Sequence, residues 1–230
     1  MEKTRYIWVD YAKFISIFLV VSFHTPPELP SYWGEILRSL RMPAFFLISG
    51  FLFNPDKFSS FVNFLKHRSI QLLIPYVSFF FLFYFLWLLL GNHLGGDEDV
   101  QAKFYQPLIE FILGRPNIVI APCWFICCLF SMQIIHFVLI KHFSRNWVLI
   151  ICFLLPFMNC IIDLDLPWSI DSAMKYIPFY AFANHYKSYL SKVGKNHYKS
   201  AVILIIIYLL ITFYLVRIEN IWLKAFLITL

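Results

Sequence analysis

The chain has 230 residues, of which 60% are hydrophobic, 20% are aromatic and only 14% are charged. Ordinary soluble domains are about 45–50% apolar and about 25% charged, so this composition excludes a soluble globule and indicates a protein whose solvent is the bilayer. The net charge of +6 does not indicate a nucleic-acid partner, because the basic residues form short clusters between apolar segments.

Apolar segments follow one another along the chain and predict about seven membrane-crossing helices, each of which needs about 20 residues. The second and sixth segments are short, so we expect them to be tilted, shielded by neighbours or partly re-entrant. The last ten residues are too few to cross and predict a partial eighth helix or an interfacial segment. The predicted spans lie at about 8–24, 37–53, 70–90, 118–140, 147–162, 172–186 and 201–216.

The loops between these spans alternate in charge. Basic residues precede the first span and follow the second, fourth and sixth, whereas acidic residues follow the first, third and fifth. Because Lys and Arg mark the cytoplasmic side of a membrane, this alternation predicts a cytoplasmic N-terminus. The fold class predicted is therefore all-α, a polytopic transmembrane helix bundle that forms a single domain over residues 1–230.

Three ionisable residues interrupt the first predicted span. Lys13 and His24 are separated by ten residues, which places them on one helical face and about 16 Å apart along the axis. Asp10 precedes Lys13 by one turn and can pair with it. Ionisable groups inside a span are costly and often functional. The alternative is that Asp10 and Lys13 lie at the inner headgroups and that His24 is a satisfied histidine at the outer interface.

Further polar or aromatic residues stand near the ends of other spans. Arg41 would lie beside His24 near the outer end of the second span, where a cation can bind an anionic group or orient the imidazole. The cluster 66–68 can hold phosphates, or it simply marks the cytoplasmic side. Trp124 opens the fourth span, where it belongs to the aromatic belt or stacks on a sugar.

The five cysteines all lie within or at the edge of apolar segments. Cys123 and Cys127 are one helical turn apart, but a closed zinc site needs four ligands and supporting outer partners that the sequence does not show. No pair falls in loops, where a structural disulfide would be expected. We therefore predict neither a metal site nor a disulfide.

Five segments carry a resemblance to a known family. In chain order they are WVDYAKFISIFLVVSFH (8–24), RMPAFFLISGFLF (41–53), FLKHRSIQLLIPY (64–76), APCWFICCLF (121–130) and YIPFYAFANHY (176–186). Together they resemble the acyltransferase 3 family of membrane acyltransferases. Within that family they are most similar to the sugar O-acetylase branch, such as fucose 4-O-acetylase. Members usually have more spans than are predicted here, so the resemblance also implies a sequence that is incomplete at its C-terminus.

The resemblance implies a reaction and places its parts. An acetyl group would pass from cytosolic acetyl-CoA to a hydroxyl of a carbohydrate or lipid-linked glycan at the bacterial cytoplasmic membrane. The family's first-span pattern, a basic residue and a histidine ten residues apart, falls on Lys13 and His24, although many members have Arg at the first position. Its basic residues before the "PY" element fall on Arg68, with Gln71 where a second basic residue is common.

The expected roles follow from this placement. His24 would act as general base or transient acyl carrier, supported by Asp10, while Lys13 and Arg68 would serve the donor. Arg41 and Trp124 would serve the acceptor.

Two other readings stay open. A transporter or flippase subunit for a lipid-linked sugar would use the same polar stripe as a path, although the sequence has no internal repeat. The second alternative is that the chain is an inactive fragment of an acyltransferase.

Overall fold

A computed structural model describes residues 7–22, 31–94, 104–162 and 166–196. Every regular element in these ranges is helical, which confirms the predicted all-α class. The α-helices are α1 Ile7–Ser22, α2 Ser31–Leu52, α3 Phe61–Arg68, α4 Ile74–Leu94, α5 Gln106–Leu113, α6 Trp124–His142, α7 Arg145–Ile162, α8 Ile170–His185 and α9 Lys187–Asn196. Short 3-10 turns occupy Pro55–Lys57, Ala121–Cys123 and Pro167–Ser169, and a π-helical turn occupies Ser69–Leu73.

Each predicted span that the structure describes overlaps an α-helix, although the bounds differ by a few residues. The predictions at 201–216 and 221–230 lie outside the described residues. In the described part of the chain, two helices are long and apolar enough to cross a membrane, Phe61–Leu90 and Ala121–His142. The first of these joins α3, the π-helical turn and α4. The count of seven crossings and a partial eighth stays a prediction.

The surface of α4 is apolar over most of its circumference. Leu89 is 71% exposed and Phe85 is 60% exposed, and most other side chains of this helix are also open. Soluble monomers rarely expose so continuous an apolar surface. Such a surface agrees with the predicted membrane span, because an apolar helix can face lipid chains without loss of free energy.

The structure divides into two compact units. The first takes its described residues from Met1–Phe53 and Phe182–Leu230. In this unit α1 packs against α2. Its buried core is formed by Val9, Ile48, Phe51 and Ala183.

Two side chains from the C-terminal part of the first unit bind the end of α2. The Nδ2 of Asn184 donates to the carbonyl oxygens of Gly50 and Phe53, at 3.1 and 3.0 Å. The Nζ of Lys187 donates to the same oxygen of Phe53 at 2.9 Å. The last carbonyls of a helix lack intrahelical partners and carry partial negative charge, so an amide and an ammonium stabilise this end.

The second unit, Asn54–Ala181, is built around α6. The ring of Phe111, on α5, stacks on Phe80 at 3.9 Å and on Tyr76 at 4.8 Å between centroids. The Tyr76 hydroxyl also donates to the carbonyl oxygen of Phe111 at 3.0 Å, and that of Tyr84 donates to Phe104 at 2.8 Å. Stacking and hydrogen bonds thus attach α5 to α4, which fixes the start of the segment leading to α6.

A close backbone approach joins the end of α5 to the turn before α8. Gly114 has a φ of +65°, and a Cβ there would lie 2.9 Å from the Cα of Trp168. Trp168 and Ser169 themselves have φ of 60° and 50°, which is uncommon for residues other than glycine. Two hydroxyls fix this arrangement: Ser169 donates to the Gly114 carbonyl at 2.7 Å, and Ser131 donates to the Trp168 carbonyl at 3.0 Å.

The π-helical turn between α3 and α4 has a local cause. Pro75 has no N–H, and inside an α-helix its ring would collide with the carbonyl group four residues earlier. Widening the turn before it removes this collision, and the N–H of Ile74 donates to the carbonyl of Ser69 across the wider turn. Such turns occur frequently at functional sites. This one follows Arg68 directly.

Candidate functional site

Arg68 is the last residue of α3 and is half-buried. Its Nη1 donates to the Oε1 of Gln71 at 2.9 Å, and its guanidinium carbon lies 5.6 Å from the ring centroid of Phe58. The guanidinium is therefore held by a hydrogen bond and by a cation–π contact. Lys66 and His67 precede it in the last turn of α3 and are exposed. The cluster predicted to hold phosphates is a short cationic end of a helix.

Gln71 has a role that the sequence did not reveal. The family's common basic residue at this position would be a second donor, whereas glutamine supplies an oxygen that accepts from Arg68. Gln71 lies inside the π-helical turn, three residues after Arg68. The turn and the amide together orient the guanidinium.

A group of buried polar side chains lies behind Arg68 in the second unit. Tyr180, on α8, is fully buried and close enough to Arg68 for the two side chains to interact electrostatically. The ring of His136, on α6, meets the Tyr180 ring edge-on with centroids 5.0 Å apart. Gln133 lies one turn before His136, and both are almost completely buried, at 4% and 2% exposure. Polar residues inside apolar helices often mark function, so these three are candidate site residues.

Sequence patterns alone do not single out these three residues. The signal was weak: a glutamine and a histidine three positions apart in a span without charged residues. The contact of His136 with Tyr180 joins α6 to α8, and no sequence spacing gives that contact.

The polar residues of the first unit are placed in part. Asp10 is half-buried and Lys13 is exposed, one turn apart on α1, beside the face that buries Val9 and Ser16. Their predicted pairing stays a prediction. His24 lies outside the described residues, so the structure does not test whether it shares a face with Lys13.

The two residues predicted to serve the acceptor lie in different units. Arg41 is half-buried in α2, in the first unit. Trp124 is half-buried at the first position of α6, in the second unit. Their acceptor roles stay predictions.

A cavity of about 330 Å³ lies in the second unit where α5 and the following segment meet the start of α6. The Nε2 of Gln106 donates to the Oε1 of Glu110 at 3.1 Å beside it. The Oδ1 of Asn117 accepts from the backbone N–H groups of Val119 and Ile120, at 3.0 and 2.9 Å. The lining residues are Gln106, Pro107, Glu110, Pro116, Asn117, Ile118 and Ala121.

Comparison with known families decides the class of the protein. The family model described as an acyltransferase domain matches residues 6–229. The chain belongs to the acyltransferase 3 family. The match runs through both compact units, confirms the resemblance carried by the five sequence segments and indicates an acyltransferase. The resemblance to the sugar O-acetylase branch stays a prediction. Neither the curated proteins nor the solved structures contain a match.

In this acyltransferase 3 protein, the geometry around Arg68 suits an anionic group. A guanidinium presents five N–H donors in a planar fork that matches phosphate, and the bond to Gln71 uses one of them. Lys66 and His67 add donors at the same helix end. The aromatic face of Phe58 orients the plane of the fork.

Proposed function

We propose that this acyltransferase is a membrane-bound O-acetyltransferase that moves an acetyl group from cytosolic acetyl-CoA to a hydroxyl of a cell-envelope carbohydrate. The single observation that carries the proposal is the oriented guanidinium of Arg68 at a cationic helix end. Coenzyme A carries phosphate groups, and the planar fork of a guanidinium can bind a phosphate through two hydrogen bonds. Membership of the acyltransferase 3 family supplies the reaction class.

The proposed donor site comprises Arg68, supported by Lys66 and His67. Basic residues at this helix end agree with a cytoplasmic position, where acetyl-CoA is made available. Lys13, which is basic and exposed on α1, is also proposed to bind the donor. Gln71 and Phe58 hold Arg68 in place and need not touch the donor.

His24 is the proposed catalytic base. It removes the proton from the acceptor hydroxyl as that oxygen bonds to the thioester carbonyl carbon. The carbon–sulfur bond then breaks, and CoA leaves as a thiol with the proton that His24 returns. An imidazole suits this exchange because its ordinary pKa lies near neutrality. Asp10 is proposed to support the first helix, and His24 as a transient acyl carrier is the variant of the same scheme.

Arg41 and Trp124 are the proposed acceptor residues. A guanidinium near the reacting carbonyl stabilises the oxyanion that develops there. An indole ring offers a flat apolar face to a sugar ring. The proposed setting is the bacterial cytoplasmic membrane, with the N-terminus in the cytoplasm and the acceptor reached from the opposite side.

The first test follows acetyl transfer in membranes that contain the protein. We expect acetyl-CoA to be consumed in proportion to the acetyl ester formed on the glycan. His24→Ala should lower kcat by about 100-fold or more, because general-base catalysis contributes on that scale. His142→Ala is the matched control, since His142 is exposed at the end of α6. Full activity in His24→Ala would remove His24 from the mechanism. Movement of a lipid-linked sugar without acetyl-CoA consumption would favour the transporter reading.

A second test addresses the donor site alone. Arg68→Lys keeps the charge but loses the planar fork, and Arg68→Gln loses both. We expect KM for acetyl-CoA to rise about ten-fold in Arg68→Gln and less in Arg68→Lys, with KM for the acceptor unchanged. Arg145→Gln is the control, because Arg145 is an exposed arginine at the start of α7. An unchanged KM for acetyl-CoA in Arg68→Gln would contradict the donor assignment.

A further inference from the structure

The cavity beside the start of α6 is lined by groups of complementary hydrogen-bonding character. Glu110 supplies a carboxylate, one of whose oxygens accepts from Gln106. Asn117 is only 6% exposed, yet it lines the cavity. Acceptors and donors therefore occur together in a space of about 330 Å³, at the lower end of the range of small-molecule sites.

The Asn117 side chain is fixed before any ligand arrives. Its Oδ1 accepts from two backbone N–H groups, those of Val119 and Ile120. An amide oxygen has two lone pairs, so these two bonds saturate it and set the plane of the amide. The two N–H donors on Nδ2 are the groups that remain for another molecule. Because the amide is already held in place, it loses little conformational freedom when it binds a ligand.

The remaining walls are rigid and apolar. Pro107, Pro116 and Ile118 line the cavity beside the polar groups, and Pro107 is buried. Proline has a fixed φ, so these walls lose little entropy when a ligand binds. Small-molecule sites combine mostly apolar walls with a few well-placed polar groups, which is the arrangement seen here.

The charge of the cavity selects the chemistry of the ligand. The lining residues include one carboxylate and no cationic side chain. A phosphate or a uronic acid would be repelled by Glu110, whereas a neutral hydroxyl can donate to it. Neighbouring hydroxyls on a sugar ring can donate to Glu110 and accept from the Asn117 amide at the same time. The cavity volume suits one sugar ring rather than a long chain.

From these observations we propose that the Glu110–Asn117 cavity binds one uncharged sugar unit of the acceptor. The inference rests on the proposed function, because it names the acceptor class of the same reaction. The predicted topology places the loop that precedes α6 on the side opposite the donor, which is where an acceptor would arrive. Trp124 begins α6 three residues after Ala121, the last lining residue.

The test uses the full chain in lipid nanodiscs and two conservative substitutions. Glu110→Gln keeps the shape but removes the charge. Asn117→Asp keeps the oxygen that accepts from Val119 and Ile120 but removes both Nδ2 donors. Asp56→Asn is the matched control, because Asp56 is an exposed carboxylate in the same unit that does not line the cavity. The probes are methyl hexopyranosides and the corresponding methyl hexuronates, and binding is measured by saturation-transfer NMR and calorimetry.

The expected result is binding of the neutral glycosides to the wild-type protein in preference to the uronates. Kd should rise about ten-fold or more in Glu110→Gln and Asn117→Asp and stay within two-fold in the control. In the acetylation assay, KM for the acceptor should rise with KM for acetyl-CoA unchanged. Equal binding of the neutral glycosides to wild type and both cavity variants would overturn the inference, as would preferred binding of the uronates.

The two proposals fail in different ways. Binding that depends on Glu110 and Asn117, in a protein that consumes no acetyl-CoA, would support the sugar site and contradict the proposed reaction. Acetyl transfer that is unaffected by both substitutions would support the reaction and overturn the sugar site.

Discussion

Asn184 donates from its Nδ2 to the carbonyl oxygen of Phe53 at 3.0 Å, across 131 positions of sequence. The same amide nitrogen reaches the carbonyl oxygen of Gly50 at 3.1 Å. Two of the segments that carry the resemblance to the family, 41–53 and 176–186, are therefore joined at the end of α2. Asn184, in the second segment, thus has a structural role: its amide donates to carbonyl oxygens at the end of the helix formed by the first segment.

Removing the Asn184 amide should destabilise the first unit. In Asn184→Ala the two carbonyls lose a donor, which costs about 1–3 kcal/mol of unfolding free energy. Asn184→Asp should be at least as harmful, because a carboxylate would face carbonyl oxygens. Thermal unfolding in detergent measures both. Asn63→Ala is the control, since the Asn63 amide is exposed and donates locally to Ser59. Equal Tm values for Asn184→Ala and the control would contradict this explanation.

Gly114 should tolerate no side chain. In Gly114→Ala the new Cβ would lie 2.9 Å from the Trp168 Cα and 3.1 Å from the Cys127 Sγ, at a φ of +65°. Gly114→Asn separates two causes, because asparagine accepts left-handed φ but still carries a Cβ. The contact is with backbone, which cannot move aside, so we expect both variants to lose stability, by about 1–3 kcal/mol or more. A Tm for Gly114→Asn equal to wild type would show that φ alone matters.

The hydroxyls of Ser131 and Ser169 should contribute to the same junction. Each donates to a backbone carbonyl in a buried or partly buried position, and Ser169→Ala or Ser131→Ala should cost about 1–3 kcal/mol of unfolding free energy. Ser172→Ala should cost little, since its hydroxyl bonds only to the adjacent Asp171. Chemical unfolding of the purified variants tests this order. Loss of stability in Ser172→Ala equal to that in Ser169→Ala would argue against a special role for the junction.

Gln71 should affect donor binding through Arg68. Gln71→Leu removes the oxygen that holds the guanidinium, and we expect KM for acetyl-CoA to rise about two- to five-fold, since a single partly exposed hydrogen bond contributes about 0.5–1 kcal/mol. Gln71→Glu keeps an acceptor but adds a negative charge near the proposed phosphates. Its KM should therefore rise further and fall again with added salt. If both variants left this KM unchanged while kcat stayed normal, Gln71 would not position Arg68 for the donor.

The exposed face of α4 should lie in lipid. In a cysteine-free variant, Phe85→Cys in the intact membrane should not react with a charged, impermeant maleimide, because the reactive thiolate does not form in hydrocarbon, and should react once the protein is unfolded in detergent. Asp56→Cys should react with the impermeant reagent from the cytoplasmic side only, and Gln106→Cys from the opposite side only. Rapid labelling of Phe85→Cys by the impermeant reagent would contradict a lipid-facing α4. Labelling of both loop positions from one side would contradict the predicted topology.

Six of the nine α-helices in the described residues coincide with predicted spans because each is a local apolar segment, whereas α3, α5 and α9 lie outside every predicted span. The predicted span at 172–186 corresponds to α8, although its apolar segment is short and weak. The start of the fourth span was predicted less well, because α6 begins at Trp124 after a 3-10 turn at Ala121–Cys123, whereas the prediction begins at 118. The sequence therefore predicted the position of the long apolar helices and the all-α class.

The site could be predicted only where its residues share a segment. Arg68 stood out because it belongs to a basic cluster beside a span. Tyr180 and Glu110 did not, since burial behind an arginine and exposure to a cavity both depend on contacts between distant segments. The left-handed backbone at Trp168 has no sequence signal at all, because tertiary contacts with Gly114 impose it.

The π-helical turn at Ser69–Leu73 gives the longest helix a built-in phase shift. At about 1.5 Å per residue, the 30 residues of Phe61–Leu90 extend about 45 Å, whereas the hydrocarbon core is about 30 Å thick. The part that precedes the turn therefore has the length to reach the aqueous boundary, and there it carries Arg68. The extra residue rotates this cationic end by about 100° relative to Tyr76 and Phe80. A deletion of one residue in this turn would keep Arg68, Tyr76 and Phe80 but would rotate the guanidinium to another side of the helix.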